Sequence, residues 1–79
     1  MEELTQARRV VGAKQTRRAL AAGQVKKLFL AKDADPALTA PLAELARAAG
    51  VAAEEGATMA QLGAACQIAV GAACCAILI

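Results

Sequence analysis

The chain has 79 residues, a length that allows one small domain, which we expect to span residues 1–79. Hydrophobic residues make up 58% of the sequence and aromatic residues 1%, so the core must be built from alanine, leucine, valine, isoleucine and cysteine. Histidine, serine and tyrosine are absent, which removes the nucleophile–base pairs of the usual acyl-transfer enzymes. We therefore expect no catalytic residues and a protein that is not an enzyme.

The net charge of +2 conceals an asymmetry between the two parts of the chain. Residues 1–32 hold eight of the nine basic residues and two of the seven acidic ones, a net charge of +6. Residues 33–79 carry the remainder, a net charge of −4. So basic a segment in so short a chain indicates a polyanionic partner.

The three cysteines, Cys66, Cys74 and Cys75, predict buried thiols in a reducing cytoplasm. Two of them are adjacent, and neighbours on a strand point to opposite faces, so they do not form a tetrahedral zinc site. The N-terminal sequence is acidic and polar, unlike an export signal. We expect a cytoplasmic protein with no metal and no cofactor.

The first part of the chain predicts two helices and a strand. Leu4, Ala7 and Val11 follow a helical spacing that predicts a helix over 3–10, with Arg8 and Arg9 facing outward. After an interruption at a glycine, a second helix is expected at about 13–22, ended by a further glycine. The apolar run that closes residues 25–31 predicts a buried strand.

The second part of the chain alternates helices and strands. Asp35 is a predicted cap for a helix that ends at Gly50, with a first turn distorted by Pro41. Residues 51–54 form a weak strand pattern, and Thr58 with Gln61 has the spacing of a capping box before a short helix. A loop at 67–71 and a final buried strand at 72–79 follow. This order predicts an α/β fold, a three-layer α/β/α sandwich with a small, mostly buried mixed sheet.

An uncharged C-terminal stretch raises one alternative to that fold. Residues 56–79 carry no charge and are long enough to span a bilayer as a tail anchor. They are rich in alanine, glycine and cysteine, contain two glutamines, and lack aromatic anchors and a basic flank. We therefore expect no membrane association.

The segment at residues 12–18 is the best candidate for a binding site. On a helix, Lys14 and Arg18 lie one turn apart with Arg17 beside them, and Gln15 lies at the edge of that face. Cations gain nothing from the positive end of a helix dipole, whereas a bound phosphate does. From the residues alone, nucleic-acid binding and an ordinary solvated surface are both open.

Four stretches, taken together and in order, resemble the kink-turn-binding ribosomal protein family. They are GAKQTRRAL at 12–20, LAKDADP at 30–36, LGAAC at 62–66 and IAVGAA at 68–73. The chain is most similar to the short bacterial members of that family, which also includes an archaeal large-subunit protein and a eukaryotic small nucleolar ribonucleoprotein core protein. Relatives tend to have glycine at the position of Gln67, and more lysine or arginine where Ala60, Gln61 and Ala64 stand.

The resemblance implies an α/β/α sandwich that binds RNA kink-turns, sharp bends formed by a bulge beside tandem sheared G·A pairs. It implies that the start of the second helix enters the groove at those pairs, and that the loop before the last strand covers the bulged nucleotides. Lys32 is a further phosphate candidate. The implied RNA-binding residues at the helix start are Gly12, Ala13, Lys14, Gln15, Arg17 and Arg18. Those of the loop are Gln67, Ile68, Ala69, Val70 and Gly71.

The expected partner is therefore a kink-turn RNA, either ribosomal RNA or a riboswitch, bound by a monomer that is ribosomal or ribosome-associated. A second reading keeps the same fold but makes it a protein-interaction module that dimerises through the apolar C-terminal loop and final strand. Lower affinity than in relatives is expected, with salt sensitivity arising from the basic N-terminal part.

Overall fold

The computed structural model describes residues 2–79, so Met1 of the expected domain lies outside the described residues. Helices and strands alternate along this part of the chain. The helices are α1 (Glu2–Gln6), α2 (Ala13–Ala21), α3 (Pro36–Ala48) and α4 (Met59–Ala65). The strands are β1 (Arg9–Val11), β2 (Val25–Leu30), β3 (Ala52–Glu54) and β4 (Cys74–Leu78).

The strands form one mixed sheet in the order β1-β4-β2-β3. The last strand, β4, lies between β1 and β2 and runs antiparallel to both, while β3 pairs with the other side of β2 and runs parallel to it. Both edges of β4 are thus hydrogen-bonded within the chain, which leaves that strand no free edge for a second copy.

Alternation of side chains along the central strands builds two cores, one on each face of the sheet. On one face, Phe29 and Cys75 pack with Leu4 of α1 and Leu62 of α4. On the other face, Leu28, Leu30 and Cys74 pack with Leu20 of α2 and Leu42 of α3. Helices therefore cover both faces, and the predicted three-layer α/β/α sandwich is confirmed.

The predicted helix caps are confirmed. The Asp35 carboxylate accepts the Ala37 N–H at 2.9 Å, with Pro36 at the first helical position. Thr58 and Gln61 form a reciprocal capping box at the start of α4. These motifs are formed by residues close in sequence, which is why the sequence was sufficient to find them.

Two predicted features are wrong. The helix expected over 3–10 ends at Gln6, and Arg9, Val10 and Val11 form an edge strand paired with β4. Consequently Arg9 faces the α1–α4 side of the sheet and is half-buried rather than outward. Pro41 does not separate the first turn of α3, which runs unbroken from Pro36 to Ala48. The proline lies early in that helix and exposed, and the buried Leu42 and Ala46 anchor the rest to the sheet.

The C-terminal stretch considered as a tail anchor forms α4, a loop and the central strand β4. Among residues 2–79, no helix combines the length and the apolar character needed to cross a membrane. All three cysteines are buried free thiols, as expected, and Cys74 and Cys75 lie in opposite cores.

Candidate nucleic-acid interface

Strand directions bring the separate candidate segments to one edge of the sheet. Strands β1 and β2 end where β4 begins, because both run antiparallel to it. The Gly12 N–H donates to the Cys74 carbonyl at 3.0 Å, and the Ala31 N–H donates to the Ala73 carbonyl at 2.8 Å. The start of α2, the turn at Lys32 and the loop at 67–71 therefore adjoin the same end of the sheet.

The start of α2 is a sharp turn that only glycine makes without strain. Gly12 has φ 97° and ψ 156°, in the region that disfavours a side chain, and α2 has no side-chain cap. Its own N–H donates to the Cys74 carbonyl and is therefore already used within the fold. The N–H groups of the next residues have no side-chain cap and lie at the positive end of the helix.

The two faces of α2 are divided as the sequence predicts. Thr16, Ala19 and Leu20 are buried against the sheet. The Thr16 hydroxyl lies 3.8 Å from the Cys74 sulfur, which ties the first turn to the central strand. Gln15, the residue before Thr16, is exposed. The exposed side chains of the first turn of α2 are therefore carried by a backbone that is packed against the sheet.

Unpaired cations surround this edge. Three exposed basic side chains lie near it, Lys14, Arg17 and Lys32, and Arg18 is exposed further along, in the last turn of α2. Within residues 2–79, the ion pairs are made by Lys27 and Arg47 and by none of these four. Lys27, by contrast, is paired: its hydrogen bond to Glu3, at 2.7 Å, is the chief cause of its raised pKa. The four cations can bind phosphates without first breaking an internal pair.

The turn after β2 contributes Lys32 but not its acidic neighbour. The Lys32 N–H donates to the Ala57 carbonyl at 2.8 Å, which fixes the backbone and leaves the side chain exposed. The Asp33 carboxylate accepts the Met59 N–H at 2.7 Å and so caps α4. The Asp33 side chain is therefore committed to the start of α4.

The loop at 67–71 begins with a left-handed residue that is not glycine. Gln67 has φ 62° and follows Cys66, the C-cap of α4. Its N–H donates to the Ala64 carbonyl at 3.0 Å, and the Ile68 N–H donates to the Gly63 carbonyl at 3.1 Å. This pair of bonds is a Schellman motif, so the loop has the geometry that glycine would favour even with glutamine in place.

The same loop presents apolar side chains while its backbone is packed. Val70 is 71% exposed and Ile68 is 38% exposed. Behind them, the Val70 carbonyl lies so close to Gly63 that a methyl group built there would be 2.1 Å from its oxygen. The backbone of Gly71 likewise lies against Met59. The exposed aliphatics are thus carried by a loop seated on α4.

One residue of this region was missed by the sequence reading. The Arg9 guanidinium donates to the Cys66 carbonyl at 2.9 Å and to the Leu4 carbonyl at 3.3 Å. Its contacts to the Ala7 carbonyl and to Gln67 Oε1 are longer, at 3.5 Å. The paired valines before Gly12 were the signal for a strand, and strand alternation would have turned Arg9 inward.

The fold and this edge define a small α/β/α protein whose exposed, unpaired cations adjoin an apolar loop. A family model described as the ribosomal protein L7Ae/L30e/S12e/Gadd45 family matches residues 2–79, and the chain belongs to that family. The resemblance inferred from the sequence is therefore confirmed.

Several relatives are similar over most of their length. An RNA-binding protein of Bacillus pumilus is 49% identical over 70 residues, covering 89% of this chain and 85% of the relative. The RNA-binding protein YbxF of Geobacillus stearothermophilus is 42% identical over 69 residues, covering 87% of this chain and 84% of the relative. Among solved structures, the 15.5kD RNA binding protein of Giardia lamblia superposes with a TM-score of 0.87 at 24% identity, covering 99% of this chain and 72% of that one.

Proposed function

We propose that this protein binds RNA, and specifically that it recognises and stabilises kink-turns without catalysing a reaction. The observation that carries the proposal is the convergence of exposed, unpaired cations on α2 with an apolar loop at one edge of the sheet. The relatives named RNA-binding proteins support the RNA part of the proposal. The kink-turn part rests on the family resemblance and on how well this edge suits a bent, partly unstacked RNA.

The first turn of α2 supplies the groups suited to reading base edges. Lys14 and Gln15 are exposed there and can donate to guanine O6 or N7, the edges that sheared pairing leaves available. Arg17 and Arg18 lie further along α2 and Lys32 lies at the neighbouring turn, and in this proposal they bind flanking phosphates. Because the turn is packed through Thr16, these groups bind without a prior ordering of the backbone.

The loop supplies the complementary apolar surface. Ile68 and Val70 are aliphatic and exposed, so they can pack against the unstacked bases of the bulge, which removes apolar surface of both partners from water. A straight duplex presents stacked bases that do not reach the loop. The two contacts together therefore favour the kinked conformer, and binding shifts the RNA population toward it.

The test is a titration of the protein into a kink-turn RNA with a fluorescent donor and acceptor at its two ends. A matched RNA has the G·A pairs replaced by Watson–Crick pairs. We expect folding of the kink-turn RNA alone, at protein concentrations well below those that bind the control RNA. Equal, weak binding to both RNAs would reject kink-turn recognition and leave only non-specific attraction.

Variants assign the effect to α2. Gln15→Ala and Lys14→Ala are expected to weaken binding to kink-turn RNA by about 1–3 kcal/mol each, and binding to a plain duplex by much less. Lys26→Ala is the matched control, because Lys26 is exposed at the start of β2, the opposite end of the sheet. Equal losses on both RNAs would mean that Lys14 and Gln15 contribute only sequence-independent attraction.

The rival reading, dimerisation, is limited by the topology. Strand β4 has both edges paired, so only the loop with Val70 remains of the surface first considered for it. We propose a monomer. Sedimentation at several protein concentrations tests this, since self-association that Val70→Asp abolishes would favour the interaction module instead.

A further inference from the structure

The side chain of Arg9 joins the C-terminal end of α4 to two other elements, β1 and α1. Its guanidinium lies on the α1–α4 side of the sheet and donates to the Cys66 carbonyl at 2.9 Å. The other nitrogen donates to the Leu4 carbonyl of α1 at 3.3 Å. One planar group thus joins the edge strand, the end of the first helix and the end of the last helix.

The position suits a cation for two physical reasons. The last carbonyls of a helix carry partial negative charge and lack intrahelical donors, so a guanidinium there satisfies one and is attracted by the rest. Cys66 is the C-cap of α4, and its carbonyl is one of these groups. The half-buried setting reduces the competition from water that weakens exposed polar contacts.

The loop begins at the next residue. Gln67 takes the left-handed conformation that turns the chain out of α4, and its Oε1 lies 3.5 Å from the Arg9 guanidinium. A left-handed residue other than glycine persists only where its surroundings hold it. The bond to the Cys66 carbonyl holds the peptide that joins Cys66 to Gln67, and so acts together with the Schellman bonds on the direction in which Ile68 and Val70 leave the helix.

We propose that Arg9 is a positioning residue for RNA binding: it holds the loop at 67–71 in its binding geometry through Cys66 and Gln67, without contacting the RNA. This inference rests on the proposed function, because it assumes that the loop contacts RNA. Without Arg9 the loop samples other directions, and the RNA must select the productive one at a cost in affinity.

The decisive comparison is Arg9→Met against Arg8→Met, with the labelled kink-turn RNA and its Watson–Crick counterpart. Both variants lose one positive charge, and Arg8 is the exposed neighbour on the same segment. We expect Arg9→Met to weaken kink-turn binding about tenfold and Arg8→Met to have little effect. Both are compared at a temperature where circular dichroism shows each variant fully folded.

Two readouts separate positioning from direct contact and from general destabilisation. The slope of log affinity against log salt concentration should be unchanged in Arg9→Met, since no phosphate contact is lost, whereas loss of a phosphate contact lowers it by about 1. In a chain that already carries Ile68→Ala and Val70→Ala, Arg9→Met should have no further effect on affinity. A lowered slope, or an undiminished effect in that background, would overturn the proposal.

The outcomes for the inference and for the proposed function are distinct. A wild-type protein that fails to distinguish the two RNAs removes the proposed function, and the inference with it. A wild-type protein that distinguishes them, with Arg9→Met binding as tightly as Arg8→Met, removes the inference alone. If Arg9→Met does not fold, Arg9→Lys replaces it: its single ammonium cannot join both carbonyls as the fork does, so wild-type affinity in Arg9→Lys would also overturn the proposal.

Discussion

The seating of the loop on α4 predicts that a single methyl group will displace it. Gly63 is buried within α4, and its Cα faces the Val70 carbonyl. In Gly63→Ala the new methyl carbon would lie 2.1 Å from that oxygen and 3.0 Å from the Gly71 Cα. Both neighbours are backbone atoms, so no side-chain rotation relieves the contact, and the loop must move away from the helix.

Two effects of opposite sign determine the magnitude. Alanine in place of glycine inside a helix gains about 1 kcal/mol of intrinsic propensity. The 2.1 Å contact is closer by roughly 1 Å or more than atoms of this size tolerate, and overpacking of this kind costs about 1–3 kcal/mol. Because the opposing atom is a backbone oxygen, we expect a cost near the upper end and a net destabilisation of about 2 kcal/mol. A domain of 79 residues has roughly 4–12 kcal/mol in total, so the change is readily measured.

Urea denaturation of Gly63→Ala and of Gly56→Ala gives the comparison. Gly56 precedes α4, and a methyl group built there meets no atom within 4 Å. Gly56→Ala should therefore be neutral or stabilising by up to about 1 kcal/mol, through the unfolded chain alone. Gly63→Ala should also weaken kink-turn RNA binding when fully folded, because Val70 moves with its carbonyl. If Gly63→Ala is as stable as Gly56→Ala, the loop is not seated on α4 and the reasoning is refuted.

Three further expectations concern the loop, the helix that carries it and the buried thiols. Gln67→Gly should raise the free energy of unfolding, measured in urea, by about 0.5–1 kcal/mol, because the strain of a side chain in the left-handed conformation exceeds the entropy cost of glycine. A lower free energy of unfolding would mean that the contacts of the glutamine outweigh this strain. Thr58→Ala should lower that free energy by about 1 kcal/mol with RNA affinity unchanged, and an unaltered stability would show that the remaining caps suffice. Burial raises the pKa of the Cys74 and Cys75 thiols, so their neutral form stabilises the fold fully below about pH 9 and less as the pH rises further. A disulfide reagent at pH 8 should then label the native protein slowly and the urea-unfolded protein at once at all three cysteines; rapid native labelling would contradict their burial.

Local signals account for what the sequence predicted correctly. The caps at Asp35 and Thr58, and the glycines that end α2 and α3, act within a few residues and are visible in any window of the chain. The burial of Thr16 and Leu20 follows from helical periodicity. The buried face of α2 could therefore be worked out before any tertiary contact was known.

What the sequence reading missed depends on pairing between distant residues. Val10 and Val11 form a strand because β4, more than sixty residues later, pairs with them at Ala76 and Cys75. A run of three residues has too little periodicity to reveal this, and the apparent helical spacing from Leu4 to Val11 outweighed it. The inward direction of Arg9 follows from that strand, so the error in one element concealed a residue that contacts Gln67 at the start of the loop.

Because of the order of the strands, basic residues lie on one side of the candidate interface and acidic residues on the other. At the edge where α2 begins, β1 leads into the basic helix α2, and the apolar loop leads into β4. On the far side of the sheet, β3 leads into Glu55. Lys32 lies between them, after β2. A polyanion is thus attracted to the α2 side and repelled from the β3 side, which orients it before any base is read. This orientation depends on where the charges lie in the fold, so it does not require a net charge larger than +2.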